Sequence, residues 1–212
     1  MKKIRRFKLT EHTRETSRRI KKSGINLENL GLQEEPSLKE FVNTLLSETD
    51  ASVVYASFDD EFSNAKNFFD IFSAGVITLG KNIENKINSY TQQELKDAAQ
   101  ICALEFLDSA FDFVTGLIKE EAGKENFEIL PAKLLHMPEF ANRYAKEQDT
   151  EVPRFIRKNE IATVQEKESL LPLLMEKLDI SKISVSNENN IISPSHTVAF
   201  AIQWQRKKRR KK

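Results

Sequence analysis

The sequence predicts an α+β fold: a predominantly helical core around one long central helix, at about 92–122, with a small antiparallel sheet in the C-terminal third. Two patterns predict it. Residues 92–122 carry apolar side chains over a broad helical face, whereas after Asp179 apolar residues alternate with polar or small ones. With 39% hydrophobic residues and fourteen Phe, the 212-residue chain can fill a core of this size.

The first 36 residues are expected to form a basic, flexible N-terminal arm and connector. Residues 1–23 contain too few sizeable apolar side chains to bury a face, and 10–22 is expected to become helical only on a partner. A single folded domain is therefore predicted over 37–205, followed by a basic tail over 206–212. The connector is marked by three turn-forming residues: Gly24, Gly31 and Pro36.

Three elements are expected in the first half of the domain. Helical spacing of apolar residues predicts a helix over 37–47, and β-branched and aromatic residues predict a strand over 51–58. The acidic residues at 59–61 are expected to end that strand and open a second helix. Thr91 followed by Glu94 is typical of a capping box at the start of the long helix. The apolar residues of the second helix are Phe62, Phe68, Phe69, Ile71 and Phe72.

The C-terminal third is expected to hold one helix and then strands. Thr163 and Glu166 predict a capping box for a helix over 164–178, which Pro172 should kink. The last strand continues directly into the tail. The apolar residues with strand-like alternation are Ile183, Val185, Ile191, Ile192, Val198, Phe200, Ile202 and Trp204.

The charges of the chain are sorted along its length. Residues 1–23 hold ten Lys or Arg and two Glu, and the last seven residues are all basic. The intervening 24–205 hold 16 basic and 30 acidic side chains, so the net charge of +1 hides two basic ends around an acidic body. Regions of opposite charge favour different partners.

A polyanion is the partner that the basic ends favour. The tail has no acidic or apolar interruption, so only a dense polyanion neutralises it. Nucleic acid or nucleoprotein is the first expectation; an anionic membrane surface, a localisation signal or a solubilising tail are alternatives. Phe7 is a candidate for stacking on an unpaired base. The candidate polyanion-binding residues are Arg5, Arg6, Arg18, Arg19, Lys21, Lys22, Arg206, Lys207, Lys208, Arg209, Arg210, Lys211 and Lys212.

An acidic stripe follows the long helix. Glu105, Asp108 and Asp112 stand at i, i+3 and i+7, opposite the apolar face, and are predicted to be a solvated outer surface. The alternatives are a divalent-cation site and a dock for a basic peptide, including the chain's own arms. No Glu-x-x-His partner completes a di-iron pattern.

No residue set forms a catalytic signature, so no catalytic residue, cofactor or metal is assigned. There is no Gly-rich phosphate loop, G-x-S-x-G or H-E-x-x-H motif, and His12, His136 and His196 lack metal-ligand spacing. Cys102 lies on the apolar face of the long helix and is expected to be buried and inert. A single cysteine and no long apolar run favour the cytoplasm, or the nucleus in a eukaryote.

These patterns favour a non-catalytic binding or adaptor protein, whose basic termini contact a polyanion and whose acidic body contacts protein partners. Two other classes stay open. One is a carboxylate-based enzyme or metal-binding protein that uses Glu105, Asp108 and Asp112. The other is a self-associating structural or regulatory protein whose basic arms fold back onto the acidic stripe.

Overall fold

A computed structural model describes residues 1–10, 12–59, 71–141, 153–188 and 191–207, and it confirms the α+β class. The principal helices are α1 (Thr13–Lys22), α2 (Glu35–Ser47), α3 (Lys81–Ser89), α4 (Gln93–Lys124), α5 (Arg154–Arg157) and α6 (Val164–Lys177), with a 3₁₀ helix at Ile180–Ile183. The strands are β1 (Lys2–Arg5), β2 (Ser52–Asp59), β3 (Ile71–Thr78), β4 (Phe127–Ile129), β5 (Lys133–His136), β6 (Glu160–Ile161), β7 (Ser186–Glu188), β8 (Ile191–Ser193) and β9 (Thr197–Arg206).

The main sheet combines strands from both ends of the chain. Among the described residues its order is β1-β2-β3-β9-β5-β6, with β4 pairing the end of β9, and all pairs are antiparallel except β5–β6. β7 and β8 form a separate antiparallel pair. The predicted sheet of the C-terminal third is therefore present, but β1, β2 and β3 extend it into the N-terminal half.

Both faces of the sheet are covered. Along β9, Val198, Phe200 and Ile202 belong to the core that includes α4, while Ala199 and Ala201 belong to a second core formed with α6 and the segment after it. This alternation is what a strand buried on both faces requires, since successive side chains point to opposite sides. The long helix thus packs on one face and α6 on the other.

Several predicted elements are confirmed. The helix expected at 37–47 is α2, the strand expected at 51–58 is β2, and the central helix is α4. At the start of α6, the Thr163 hydroxyl accepts from the Glu166 backbone N–H at 3.3 Å, and the Glu166 carboxylate accepts from the Thr163 backbone N–H at 2.8 Å. The capping box predicted there is therefore formed.

Three local predictions are wrong. Ile71 and Phe72 lie on strand β3, not on a helix; the rest of that predicted helix, 60–70, lies outside the described residues. Ile183 ends a 3₁₀ helix instead of a strand. α4 begins after Gln92, without a side-chain cap, so Thr91 and Glu94 form no capping box. Short apolar runs fit either helix or strand, and here pairing with β2 and β9 selects the strand.

The N-terminal segment packs into the fold, which corrects the expectation of a flexible arm. β1 pairs with β2 along its whole length, Leu9 is buried, and α1 contacts α4. Its few apolar side chains suffice because backbone hydrogen bonds also hold β1 and ion pairs also hold α1. Ile20 is the one large apolar side chain of α1 and is buried, and Leu27 and Leu32 after the helix join the same core.

Candidate functional site

Arg19 of α1 lies buried between two carboxylates of α4. Its side chain is 6% exposed; its Nε is 2.5 Å from Glu105 Oε1, and its Nη2 donates to Asp108 Oδ2 at 3.1 Å. Glu105 and Asp108 are each 1% exposed. Since Asp108 is three residues after Glu105, both side chains project from the same side of α4, toward α1. The outcome is a buried ion cluster that joins the two helices.

Asp108 also positions a third helix. Its Oδ1 accepts from the Phe155 backbone N–H at 2.6 Å, and its Oδ2 accepts from the Arg154 backbone N–H at 3.0 Å. These amides lie at the start of α5, where they have no partner within the helix. Burial raises the pKa of Asp108, although these hydrogen bonds and Arg19 oppose the rise by stabilising the ionised form.

Glu105 is the carboxylate of the cluster with the fewest hydrogen bonds. Neither of its carboxylate oxygens has a hydrogen-bond partner among the described residues, and the same is true of Arg19 Nη1. Burial raises the pKa of Glu105 to about 7, against the favourable charge of Arg19. Because a buried ion without hydrogen bonds is costly, this carboxyl group is neutral more readily than an ordinary glutamate.

The predicted solvated stripe is therefore wrong for two of its three members. Glu105 and Asp108 are covered by α1 and α5, whereas Asp112 is 48% exposed and lies 3.6 Å from Arg154 Nη2. α4 is central and is contacted by α1, α2, α3 and α5, so the side opposite its apolar face is also packed. The sequence places these carboxylates on one side of the helix but does not show what covers that side.

The burial of Arg19 leaves a basic face on the outside of α1. Thr16, Arg19 and Ile20 face inward. The exposed residues of the outer face are Arg14, Arg18, Lys21 and Lys22. Their spacing of four, three and one residues places them along one side of the helix. Arg18 pairs with Glu15 at 2.6 Å. The hydrogen bond from Arg18 lowers the pKa of Glu15 to about 2; burial opposes this change and Arg19 adds to it.

Shallow grooves flank both ends of this outer face. The groove at the start of α1 is lined by Arg14, Glu15 and exposed Lys39 of α2, among others. The groove at its end is lined by Lys21 together with Asn26 and neighbouring residues. Glu35 also lines the first groove and Glu28 the second, so the basic face of α1 is bordered at both ends by grooves of mixed charge.

Arg5 and Arg6, which precede α1, each contact a partner within the fold although both are exposed. Arg5 Nε donates to the Lys182 backbone carbonyl at 2.8 Å, and Arg6 Nε lies 3.4 Å from Asp50 Oδ1. Phe7 stacks on Phe113, with ring centroids 4.8 Å apart and planes inclined by 23°. Phe7 is thus occupied in an intramolecular stack, which argues against the expected contact with an unpaired base.

The C-terminal tail starts from a fixed point at the edge of the fold. Arg206 is the last residue of β9, pairs with Phe127 of β4 and lies 5.9 Å from the Phe127 ring centroid. The Lys207 backbone N–H donates to the Asn126 carbonyl at 3.2 Å, and both basic side chains are exposed. Candidates Lys208, Arg209, Arg210, Lys211 and Lys212 lie outside the described residues.

The isolated histidines and the cysteine have structural surroundings. His196 Nε2 is 2.7 Å from Gln100 Oε1, and burial lowers the pKa of His196 to about 4. Burial lowers the pKa of His136 to about 4 as well, with Lys167 adding to the effect. Cys102 is fully buried, as predicted, and burial strongly raises the pKa of its thiol. Within the described ranges no three His, Cys, Asp or Glu side chains are placed to hold a metal ion.

The sequence candidates included Arg18, Lys21 and Lys22 but omitted Arg14 and Lys39. The signal for Arg14 was available, because 14, 18 and 21 share a helix face once 13–22 is treated as a helix.

No helix in the described part of the chain is long and apolar enough to cross a membrane. No protein-family model matches the chain, and no curated protein matches it at a significant level.

Proposed function

We propose that this protein is a non-catalytic binding or adaptor protein that contacts nucleic acid through the outer face of α1, assisted by its C-terminal tail. One observation carries the proposal: α1 buries Arg19 and presents Arg14, Arg18, Lys21 and Lys22 outward. An ordered helix that presents several cations along one side matches the regular charge of a phosphate backbone.

The chemistry of this face supports affinity more than sequence reading. Cations that contact phosphates release counterions and give strong, salt-dependent binding without distinguishing bases. Since Phe7 is stacked on Phe113, base stacking has no support from that residue. We therefore propose nucleic acid of little sequence preference as the polyanion, with the acidic body left for protein partners.

Enzymatic use of the acidic stripe has less support. Glu105 and Asp108 are buried against Arg19, which occupies the position that a cationic ligand would take, and Asp112 is separate from them at the surface. One observation favours the hypothesis that the basic arms fold back onto the acidic stripe: Arg19 of the N-terminal segment contacts Glu105 and Asp108 within one chain. Self-association through that contact stays a prediction, which sedimentation at low and high salt tests.

The test is an anisotropy titration of a fluorescent single-stranded oligonucleotide with the full-length chain. Arg14→Gln with Lys21→Gln should weaken binding about tenfold or more, because two phosphate contacts are removed. The matched control, Lys119→Gln with Lys177→Gln, removes the same charge from exposed positions on α4 and α6 and should bind almost as the wild type does.

Two further titrations measure how much the tail contributes to binding and which type of anion is bound. Deletion of 207–212 should weaken binding without abolishing it, because the α1 face remains. Vesicles containing phosphatidylserine replace the oligonucleotide in the second titration. Binding to vesicles with none to the oligonucleotide, or equal losses in the α1 variant and the matched control, would overturn the proposal.

A further inference from the structure

We propose that docking of α1 on α4 is coupled to protonation of Glu105, so that α1 is held most tightly when this carboxyl group is neutral. The proposal concerns the ion cluster beneath α1 and does not depend on what the outer face binds.

The first support is the imbalance of charge inside the cluster. Two buried carboxylates, those of Glu105 and Asp108, contact one buried guanidinium, that of Arg19. Like charges in a dry site raise the cost of ionising both groups. The titratable or charged groups that act on Glu105 among the described residues are Arg19 and Glu15 of α1, Asp108 and Cys102 of α4, and Arg154 of α5.

The second support is the unequal hydrogen bonding of the two carboxylates. Asp108 accepts from Arg19 and from two backbone N–H groups, an arrangement that stabilises its ionised form. Glu105 is 1% exposed, and its close contact with Arg19 Nε lacks hydrogen-bond geometry, so neither carboxylate oxygen accepts a hydrogen bond from a described residue. The proton that the cluster takes up therefore goes to Glu105, while Asp108 keeps its charge.

The third support is the weak apolar attachment of α1. Ile20 is the only large apolar side chain that the helix buries, and α1 carries five basic residues and one acidic residue. Within α1 itself, the ion cluster therefore supplements a single buried apolar side chain. Loosening α1 would bring water to Glu105 and remove the penalty for its ionisation, so ionised Glu105 favours the loosened state.

The direction of the pH dependence follows from linkage. Burial raises the pKa of Glu105 from its ordinary 4.5 to about 7 in the docked structure. Docked protein therefore binds more protons than loosened protein between these values, and docking weakens as pH rises from about 5 to about 7. The expected change in the docking equilibrium between pH 5.5 and 8.5 is about 30-fold.

A consequence for binding rests on the proposed function. The outer face presents an ordered row of cations only while α1 is docked. Higher pH should then weaken polyanion contact through disorder of the helix, with no change in the charge of its lysines and arginines.

The test measures α1 directly, without any polyanion. Hydrogen exchange of α1 amides is followed from pH 5.5 to 8.5 and corrected for the intrinsic pH dependence of exchange, and the carboxyl carbon of Glu105 is titrated by NMR. Wild-type α1 should lose about 30-fold in protection over this range, and Glu105 should titrate between about pH 6 and 8. In Glu105→Gln the protection should stay constant.

Asp112→Asn is the matched control, because it removes an exposed carboxylate from the same helix and should keep the wild-type response. Flat protection in the wild type, or an equal pH-dependent loss in Glu105→Gln, would overturn the proposal. If Glu105→Gln does not fold, the wild-type titration decides alone: ionisation of Glu105 below pH 5 contradicts the coupling. The proposed function can fail in the binding titration while this result stands, and the reverse also holds.

Discussion

The ring of Phe200 lies against the backbone of Gly75, its direct partner in the β3–β9 pairing. A Cβ atom built on Gly75 would be 2.7 Å from Phe200 Cζ and 2.9 Å from Tyr55 Cβ, both closer than non-bonded carbons allow. Phe200 is completely buried and also contacts Phe111 of α4 edge to face. The absence of a side chain at Gly75 therefore sets how closely α4 packs on the sheet.

Gly75→Ala should destabilise the fold. The added methyl group must displace a buried ring and a neighbouring strand, and such overpacking costs about 1–3 kcal/mol. Urea unfolding measures the change. Gly116→Ala is the control, since nothing lies within 4 Å of its Cβ position on α4 and alanine is the better helix former, so it should stabilise by about 0.5–1 kcal/mol. An unchanged midpoint for Gly75→Ala would show that the ring and the strand are farther apart than described.

Arg19→Gln should be strongly destabilising, although it replaces a surface-type residue in a basic segment. It leaves the Asp108 carboxylate buried without its guanidinium, and removing one partner of a buried ion pair costs about 3–5 kcal/mol. Arg18→Gln, next to it, removes an exposed pair with Glu15 and should cost under about 1 kcal/mol. Equal unfolding free energies for the two variants would place Arg19 outside the core.

Acid should destabilise the protein through His196. Burial lowers the pKa of His196 to about 4 from its ordinary 6.5, so between these values the unfolded chain binds a proton that the folded chain does not. Stability is therefore lost as pH falls from about 6.5 to 4, by on the order of 3 kcal/mol. The unfolding free energy of His196→Gln, measured over the same range, should fall less steeply than that of the wild type. Parallel curves would contradict this prediction.

The raised pKa of Glu105 acts in the opposite direction over part of that range. Folded protein binds the extra proton there, so the Glu105 contribution to stability grows as pH falls from about 7 to 4.5. Comparing Glu105→Gln with His196→Gln separates the two contributions, because one variant should steepen the acid loss and the other should reduce it.

Cys102 should react only when the fold opens. It is fully buried on α4, and burial raises the pKa of its thiol, so little reactive thiolate forms at neutral pH. Labelling with an aromatic disulfide reagent should be slow in native protein and immediate in guanidinium. Fast labelling of the native protein would mean that the side of α4 carrying Cys102 is open to solvent.

Patterns that report on a buried face were predictable from the sequence. Val198, Phe200 and Ile202 of β9 alternate with small residues because each neighbour points to a different core. The Thr163–Glu166 capping box was also predicted from local spacing, although the same spacing at Thr91 and Glu94 forms no cap because α4 begins one residue later.

Long-range contacts could not be predicted in this way. Arg19 and Asp108 are 89 residues apart, and nothing local in either segment shows that one covers the other. Charge pattern alone made Arg19 a candidate for polyanion binding and Asp108 a solvated acid, and their contact removes both from the surface. The helix predicted at Ile71 and Phe72 was wrong for a related reason: pairing of β3 with β2 and β9 overrides a local sequence that is compatible with a helix.

We propose that the outer face of α1, with Arg14 and Lys21, contacts nucleic-acid phosphates while Arg19 serves the fold. The most direct measurement is the slope of log affinity against log salt concentration for one oligonucleotide. On a single strand each lost phosphate contact reduces the slope by about 0.7, so Arg14→Gln with Lys21→Gln should reduce it by about 1.4. An unchanged slope in this variant, with wild-type folding, would contradict the claim.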